Sequence, residues 1–127
     1  MNEMKTLSLA GVWTFSLDRE GCGISKRWFA SDLPGLIDLP GSLPGHGIGD
    51  RVGMETPWTG GIFDRSFFTS PAYASYREPD HFKIPFWLQP ETYYAGVAWY
   101  QREIEIPSDW AGLRLVLELE RPHWLTR

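Results

Sequence analysis

The stretch Leu113-Arg114-Leu115-Val116-Leu117-Glu118-Leu119-Glu120 alternates with a period of two: every second residue is leucine, and Arg114, Val116, Glu118 and Glu120 lie between them. Successive side chains of a strand point to opposite faces, so the pattern predicts a half-buried β-strand with its leucines inward and a largely charged face outward. The preceding run, 99–106, also alternates, with Tyr100, Ile104 and Ile106 on one face and Gln101, Glu103 and Glu105 on the other. Pro107 ends it, because proline has no N–H to give to a ladder. Joined by Ser108-Asp109-Trp110-Ala111-Gly112, the two runs read as a sheet pair with an aromatic plug at the turn.

Near the other end of the chain Trp13, Phe15 and Leu17 alternate with Thr14, Ser16 and Asp18, which predicts a first strand with a defined inner face. Residues 18–23 form a polar, glycine-bearing turn. A short helix is expected around Lys26-Arg27-Trp28-Phe29, stopped by Pro34-Gly35, and a short strand over 36–40. From Gly41 to about Ala98 no long periodic segment occurs, and eight of the ten prolines fall between Pro34 and Pro90. So long an irregular stretch inside one compact domain is functional or internally packed. Thirteen of the nineteen aromatic residues lie between Trp58 and Tyr100, which argues for packing. The excursion at about 41–98 is therefore expected to be ordered and aromatic-stapled, with short strands near 64–69 and 82–88.

At 127 residues the chain is read as a single domain. Its net charge of −4 comes from mixed signs with no basic stripe, so nucleic acid is not an expected partner. No stretch approaches the roughly 20 apolar residues of a membrane-spanning helix, and no membrane partner is expected. Met1-Asn2-Glu3-Met4-Lys5 lacks the apolar core of a signal peptide, which leaves the compartment open between cytoplasm and periplasm. The one cysteine, Cys22, sits between two glycines with no flanking His or carboxylate to activate it, and reads as a thiol without a role.

The residue types that carry catalysis or bind cofactors do not assemble into a motif. The glycine-rich 41–50 segment has no Lys-Ser/Thr pair and two prolines, so it reads as a loop, not a phosphate cradle. His46, His81 and His123 lack the spacing of a zinc pair. Glu103 with Glu105, and Glu118 with Glu120, resemble the paired carboxylates of glycosidases, but both pairs fall on outer strand faces and read as solvated charge. No catalytic residue, metal ligand or cofactor site is expected. Of the tryptophans, Trp13 is assigned to the core, and Trp99 and Trp110 to the end of the sheet. Trp58 and Trp87 lie on the irregular excursion. Core or interdomain packing is the favoured role for them, and stacking on a sugar ring is the alternative.

Three segments carry a resemblance: Leu9-Ala10-Gly11-Val12-Trp13-Thr14-Phe15-Ser16-Leu17-Asp18, then Leu39-Pro40-Gly41-Ser42, then Tyr94-Ala95-Gly96 with Trp99-Tyr100-Gln101-Arg102, Ile106-Pro107 and Trp110-Ala111-Gly112. In order and spacing they resemble the N-terminal sugar-binding domain of family 2 glycoside hydrolases, the β-galactosidase and β-glucuronidase relatives. The resemblance implies an all-β, jelly-roll β-sandwich. It also implies that the family domain continues past the position matching Arg127, followed by an immunoglobulin-like domain and a catalytic barrel that carries both catalytic glutamates. The chain is thus expected to be an inactive, C-terminally incomplete sugar-binding domain of a retaining hydrolase, with a β-glycoside substrate and the barrel as its partners. In the family, a loop before the Tyr-x-Gly block reaches the sugar at the cleavage point. It matches 82–90 here, where Lys83 and Gln89 offer hydrogen bonds and Trp87 a face. With Trp58, these are the candidate substrate-contacting residues. The rival readings are a free-standing carbohydrate-binding module and an interaction domain that forms homo-oligomers through an open sheet edge.

Overall fold

In the computed structural model, which describes residues 4–58, 65–85, 87–122 and 125–127, the architecture is all-β, as the resemblance implies, and its strand pairs are antiparallel. Strand β1 (Gly11–Asp18) is the centre of a three-stranded sheet, flanked by β2 (Gly35–Leu39) and β5 (Val97–Gln101). A two-stranded ribbon pairs β3 (Asp50–Arg51) with β4 (Thr92–Tyr93). The β1 register sets Trp13 opposite Ile37 and Phe15 opposite both Gly35 and Tyr100, so the alternating apolar residues share one face. Ile37 is buried and Trp13, Phe15 and Leu17 are half-buried beneath it.

Both ends of β1 are fastened with the help of residues from the first and last of the three resemblance segments. At its start the Trp13 indole N–H donates to the Leu9 carbonyl at 2.8 Å, and the Arg102 guanidinium donates to the Leu9 and Ala10 carbonyls at 2.8 Å. At its end Asp18, which the alternation places on the polar face, is buried. Its carboxylate accepts the backbone N–H groups of Cys22 and Gly23 at 2.8 Å and the Trp99 indole N–H at 3.1 Å. Three donors converging on one carboxylate explain how a charged group sits inside. A Cβ at Gly23 would run into the Trp99 indole and the Asp18 carboxylate, so only glycine closes this turn. Cys22 is half-buried in the same turn, and Trp99 also meets Trp28 at 6.2 Å.

The helix expected near Lys26 is a single 3-10 turn, Trp28–Ala30, which starts after the left-handed Arg27. The Leu39–Pro40 peptide bond is cis.

The ribbon pairs residues 50–51 with 92–93, and among the described residues between them aromatic packing forms a small core. The Phe67 ring is fully buried and makes edge contacts with Phe68 (5.3 Å) and Phe82 (5.6 Å) and a tilted one with Tyr73 (5.8 Å). The Arg77 guanidinium donates to the Phe67 and Ser70 carbonyls. Two expected strands are corrected here. Ser66–Thr69 is one turn of helix, α1, which swings Phe67 inward, and among the described residues no strand pairs with it; Asp64 lies outside the described residues. Among the described residues of 82–88 there is no strand. The Gln89 side chain supplies the hydrogen bonds instead, accepting from the Ile84 N–H (2.9 Å) and donating to the Phe82 carbonyl (3.3 Å).

A larger correction concerns the C-terminal run. β5 ends at Gln101, and 114–119 has no ladder partner among the described residues. Leu113, Leu115, Leu117 and Leu119 are 54%, 52%, 67% and 44% exposed, and Ile104 and Ile106 are exposed as well. Alternation prepares two faces but does not supply the strand that covers one of them. The accessible surface of 10570 Å² is correspondingly large, against the roughly 6,900 Å² that size scaling gives for a compact monomer of 14.6 kDa.

Candidate functional site

The ribbon β3–β4 stands beside the turn that follows β1, and a cleft of about 170 Å³ opens between them. Asp50, Tyr93 and Tyr94 line it from the ribbon, Arg19 from the turn, and Thr56 and Pro57 from the excursion. Gly49 makes the ribbon possible. It sits at φ +134°, and a Cβ there would lie 2.9 Å from the Tyr93 backbone, so no side chain fits. Gly49→Ala should therefore lower the thermal midpoint by several degrees and disrupt the cleft. Gly53→Ala, where an added Cβ meets nothing within 4 Å, should leave both unchanged in a melting scan.

Within the cleft Arg19 grips Asp50 in a two-pronged pair, Nη1 to Oδ2 at 2.8 Å and Nη2 to Oδ1 at 2.9 Å, and its guanidinium lies 5.2 Å from the Tyr94 ring centre. The hydrogen bond from Arg19 holds the Asp50 carboxyl below its usual range, and Asp50 in turn raises Arg19. Burial pushes the Tyr94 phenol up, against a smaller opposing pull from Arg19, and its hydroxyl donates to the Val97 carbonyl at 2.7 Å. The pair carries no net charge near neutrality. It retains unused guanidinium donors and carboxylate lone pairs, the complement of a neutral ligand rich in hydroxyls.

An aromatic cluster adjoins the cleft through Tyr93. The Trp58 ring lies 4.9 Å from Tyr93 and 5.0 Å from Trp87, all tilted by nearly 60°. Trp58 is half-buried and Trp87 is 37% exposed, so the group presents aromatic surface to solvent while packing internally.

Of the four residues singled out from sequence, Trp58 and Trp87 come together here. Lys83 does not join them; it lines a separate open depression with Ser75, Tyr76, His81 and Phe82. The Gln89 amide is engaged within its own loop. Trp13, assigned to the core, and Trp99, assigned to the end of the sheet, are fasteners with their indole N–H groups bonded, and Trp110, also assigned to the sheet end, sits in a 3-10 turn, Ser108–Trp110. Trp124 and His123 lie outside the described residues.

Tyr93, Arg19 and Asp50 were missed in sequence. Arg19 and Asp50 are 31 residues apart in segments read as a turn and a loop, and no local pattern links them. Tyr93 carried a weak signal as half of a Thr-Tyr pair with strand propensity.

Glu103, Glu105, Glu118 and Glu120 are exposed, as expected of solvated charge, and form no paired site. Among the described residues no cluster of His, Cys, Asp or Glu converges as a metal site, and no helix is long and apolar enough to cross a membrane.

A family model described as the sugar binding domain of glycosyl hydrolases family 2 matches residues 6–122. The chain belongs to that family, whose N-terminal domain is a β-sandwich.

Proposed function

We propose that the chain is the non-catalytic, carbohydrate-contacting portion of a retaining β-glycoside hydrolase of the β-galactosidase or β-glucuronidase type. The observation that carries this reading is the packing of Trp58, itself against Trp87, on Tyr93, which lines a cleft whose polar groups, Arg19, Asp50 and Thr56, form a set of donors and acceptors with no net charge. Aromatic faces receive the apolar side of a sugar ring, and the polar groups fix its hydroxyls. The cleft is below the roughly 300–1,000 Å³ of sites that enclose drug-sized ligands, which suits one ring or chain end held at an edge. The domain would support the barrel and lend this edge to its substrate, while the two carboxylates of the barrel break the bond.

Calorimetric titration of the purified chain with β-galactosides, β-glucuronides and plant oligosaccharides tests the reading. Trp58→Ala and Trp87→Ala should each weaken any binding about tenfold, the usual loss when an aromatic anchor is removed. Lys83→Ala should not, since it lines the other depression. Unaltered affinity in both tryptophan variants would remove the cluster from the site. Tight binding by the chain alone would favour the free-standing module. Nitrophenyl glycosides should not be turned over, and measurable hydrolysis by residues 1–127 would refute a non-catalytic role.

A further inference from the structure

Arg19 and Asp50 carry the only formal charges among the described residues that line the cleft. Both rise from fixed backbone: Arg19 follows Asp18, whose carboxylate is locked at the end of β1, and Asp50 opens β3 opposite Tyr93. Asp50 takes one N–H from each terminal nitrogen of the guanidinium, and the Tyr94 ring centre lies 5.2 Å from Arg19 Cζ. The terminal fork of Arg19, the group best shaped to grip a second carboxylate, is therefore occupied. We infer that Asp50 makes this cleft selective, so that it admits neutral pyranoside rings and refuses uronates, whose C6 is a carboxylate. The inference rests on the carbohydrate reading of the same cleft and narrows it to one substrate class.

A uronate ring held in a cleft of about 170 Å³ brings its carboxylate close to the pair. There, attraction to Arg19 and repulsion from Asp50 act over nearly the same distance and largely cancel. Nothing is left to offset the water stripped from the incoming charge. A hydroxymethyl group in the same place gives up far less hydration, accepts from the remaining Arg19 N–H groups and donates to the free lone pairs of Asp50. The surroundings lean the same way. The Tyr94 phenol, raised chiefly by burial, is pulled down by Arg19 and pushed up by both Asp18 and Asp50, so the field of a second carboxylate reaches the cleft wall.

Matched sugars separate charge from shape: methyl β-glucoside and methyl β-galactoside, the glucuronide and galacturonide that differ from them only at C6, and the uncharged methyl esters of both acids. Titration of the purified chain, followed by the NMR signals of Tyr93, Ala95 and the Trp58 indole, resolves millimolar affinities. A neutral glycoside should bind, its acid should bind about tenfold more weakly, and the ester should recover most of that loss. Asp50→Asn, which keeps the shape and frees the Arg19 fork, should move the ratio of acid to neutral affinity towards the acid by about tenfold or more. Arg19→Gln, which leaves the Asp50 charge alone in the cleft, should move it the other way. Both side chains are exposed, and an exposed ion pair contributes little to stability, so neither variant threatens the fold. Acid and neutral sugars of equal affinity, an ester no better than its acid, or a ratio unmoved by Asp50→Asn would overturn the selectivity and leave the cleft a carbohydrate site. Cleft signals unmoved by every sugar would remove the carbohydrate reading itself, and this inference with it.

Discussion

Phe67→Ala should destabilise the chain by about 3–5 kcal/mol, the range for removing a buried aromatic ring. Phe67 is fully buried, and only Leu33, Ile37, Val52 and Ile84 join it as buried apolar residues among those described. Its edge contacts with Phe68 and Phe82 add about 0.5–1.5 kcal/mol each beyond burial. Set against a typical total of about 5–15 kcal/mol, one ring is a large share, because few apolar residues are buried among those described. Urea titration should show the midpoint falling, with a slope that stays constant if the loss is packing alone. Phe67→Leu, which keeps most of the volume, should cost less than about 1.5 kcal/mol. An alanine variant within about 1 kcal/mol of the parent would show that the aromatic cluster is not what orders 65–85.

Asp18→Asn should be the most damaging polar substitution. Burial raises the Asp18 pKa, but hydrogen bonds from the Gly23 N–H, the Trp99 indole and the Cys22 N–H outweigh it, and the net position is below the ordinary value. The folded pKa is thus depressed relative to the unfolded chain, where it is about 3.9. The stability it contributes is fully present above that unfolded value and is lost as the pH falls through it towards the folded one. Acid melting of the parent should show this loss, whereas Asp18→Asn should lack that part of the pH dependence and melt several degrees lower at neutral pH. An amide offers one acceptor oxygen and turns an NH₂ towards donors that need acceptors, so part of the network is left unpaired. Asp50 and Asp109, also held low by Arg19 and Lys5, are exposed and should contribute far less in the same scan. An acid profile identical in parent and variant would deny Asp18 its structural role.

Where local pattern and tertiary need coincide, the chain was legible. Trp13, Phe15 and Leu17 alternate, and they form a strand; the strand expected over 36–40 is β2, Gly35–Leu39; and among the described residues of 58–100 aromatic rings pack on one another. The same logic failed at Ser66–Thr69, where two adjacent phenylalanines have strand propensity but no partner strand, and a single helical turn buries one of them instead. Trp58 and Trp87 could be singled out because they are large and lie on irregular backbone, yet Lys83 and Gln89, marked by the same loop, serve elsewhere.

From its sequence alone, this protein is legible as a β-strand over the alternating run near its start and as carrying two faces on the run after Gly112. Those features depend on residues within a few positions of one another. Tertiary structure decided that Asp18 is buried, that Arg19 and Asp50 face Tyr93 beside two tryptophans, and that the leucine face is uncovered. The Trp99 indole that completes the Asp18 network is 81 residues away. Whether a buried charge finds its donors, or a prepared face finds its cover, depends on which distant groups the fold brings near, and local periodicity holds no record of that.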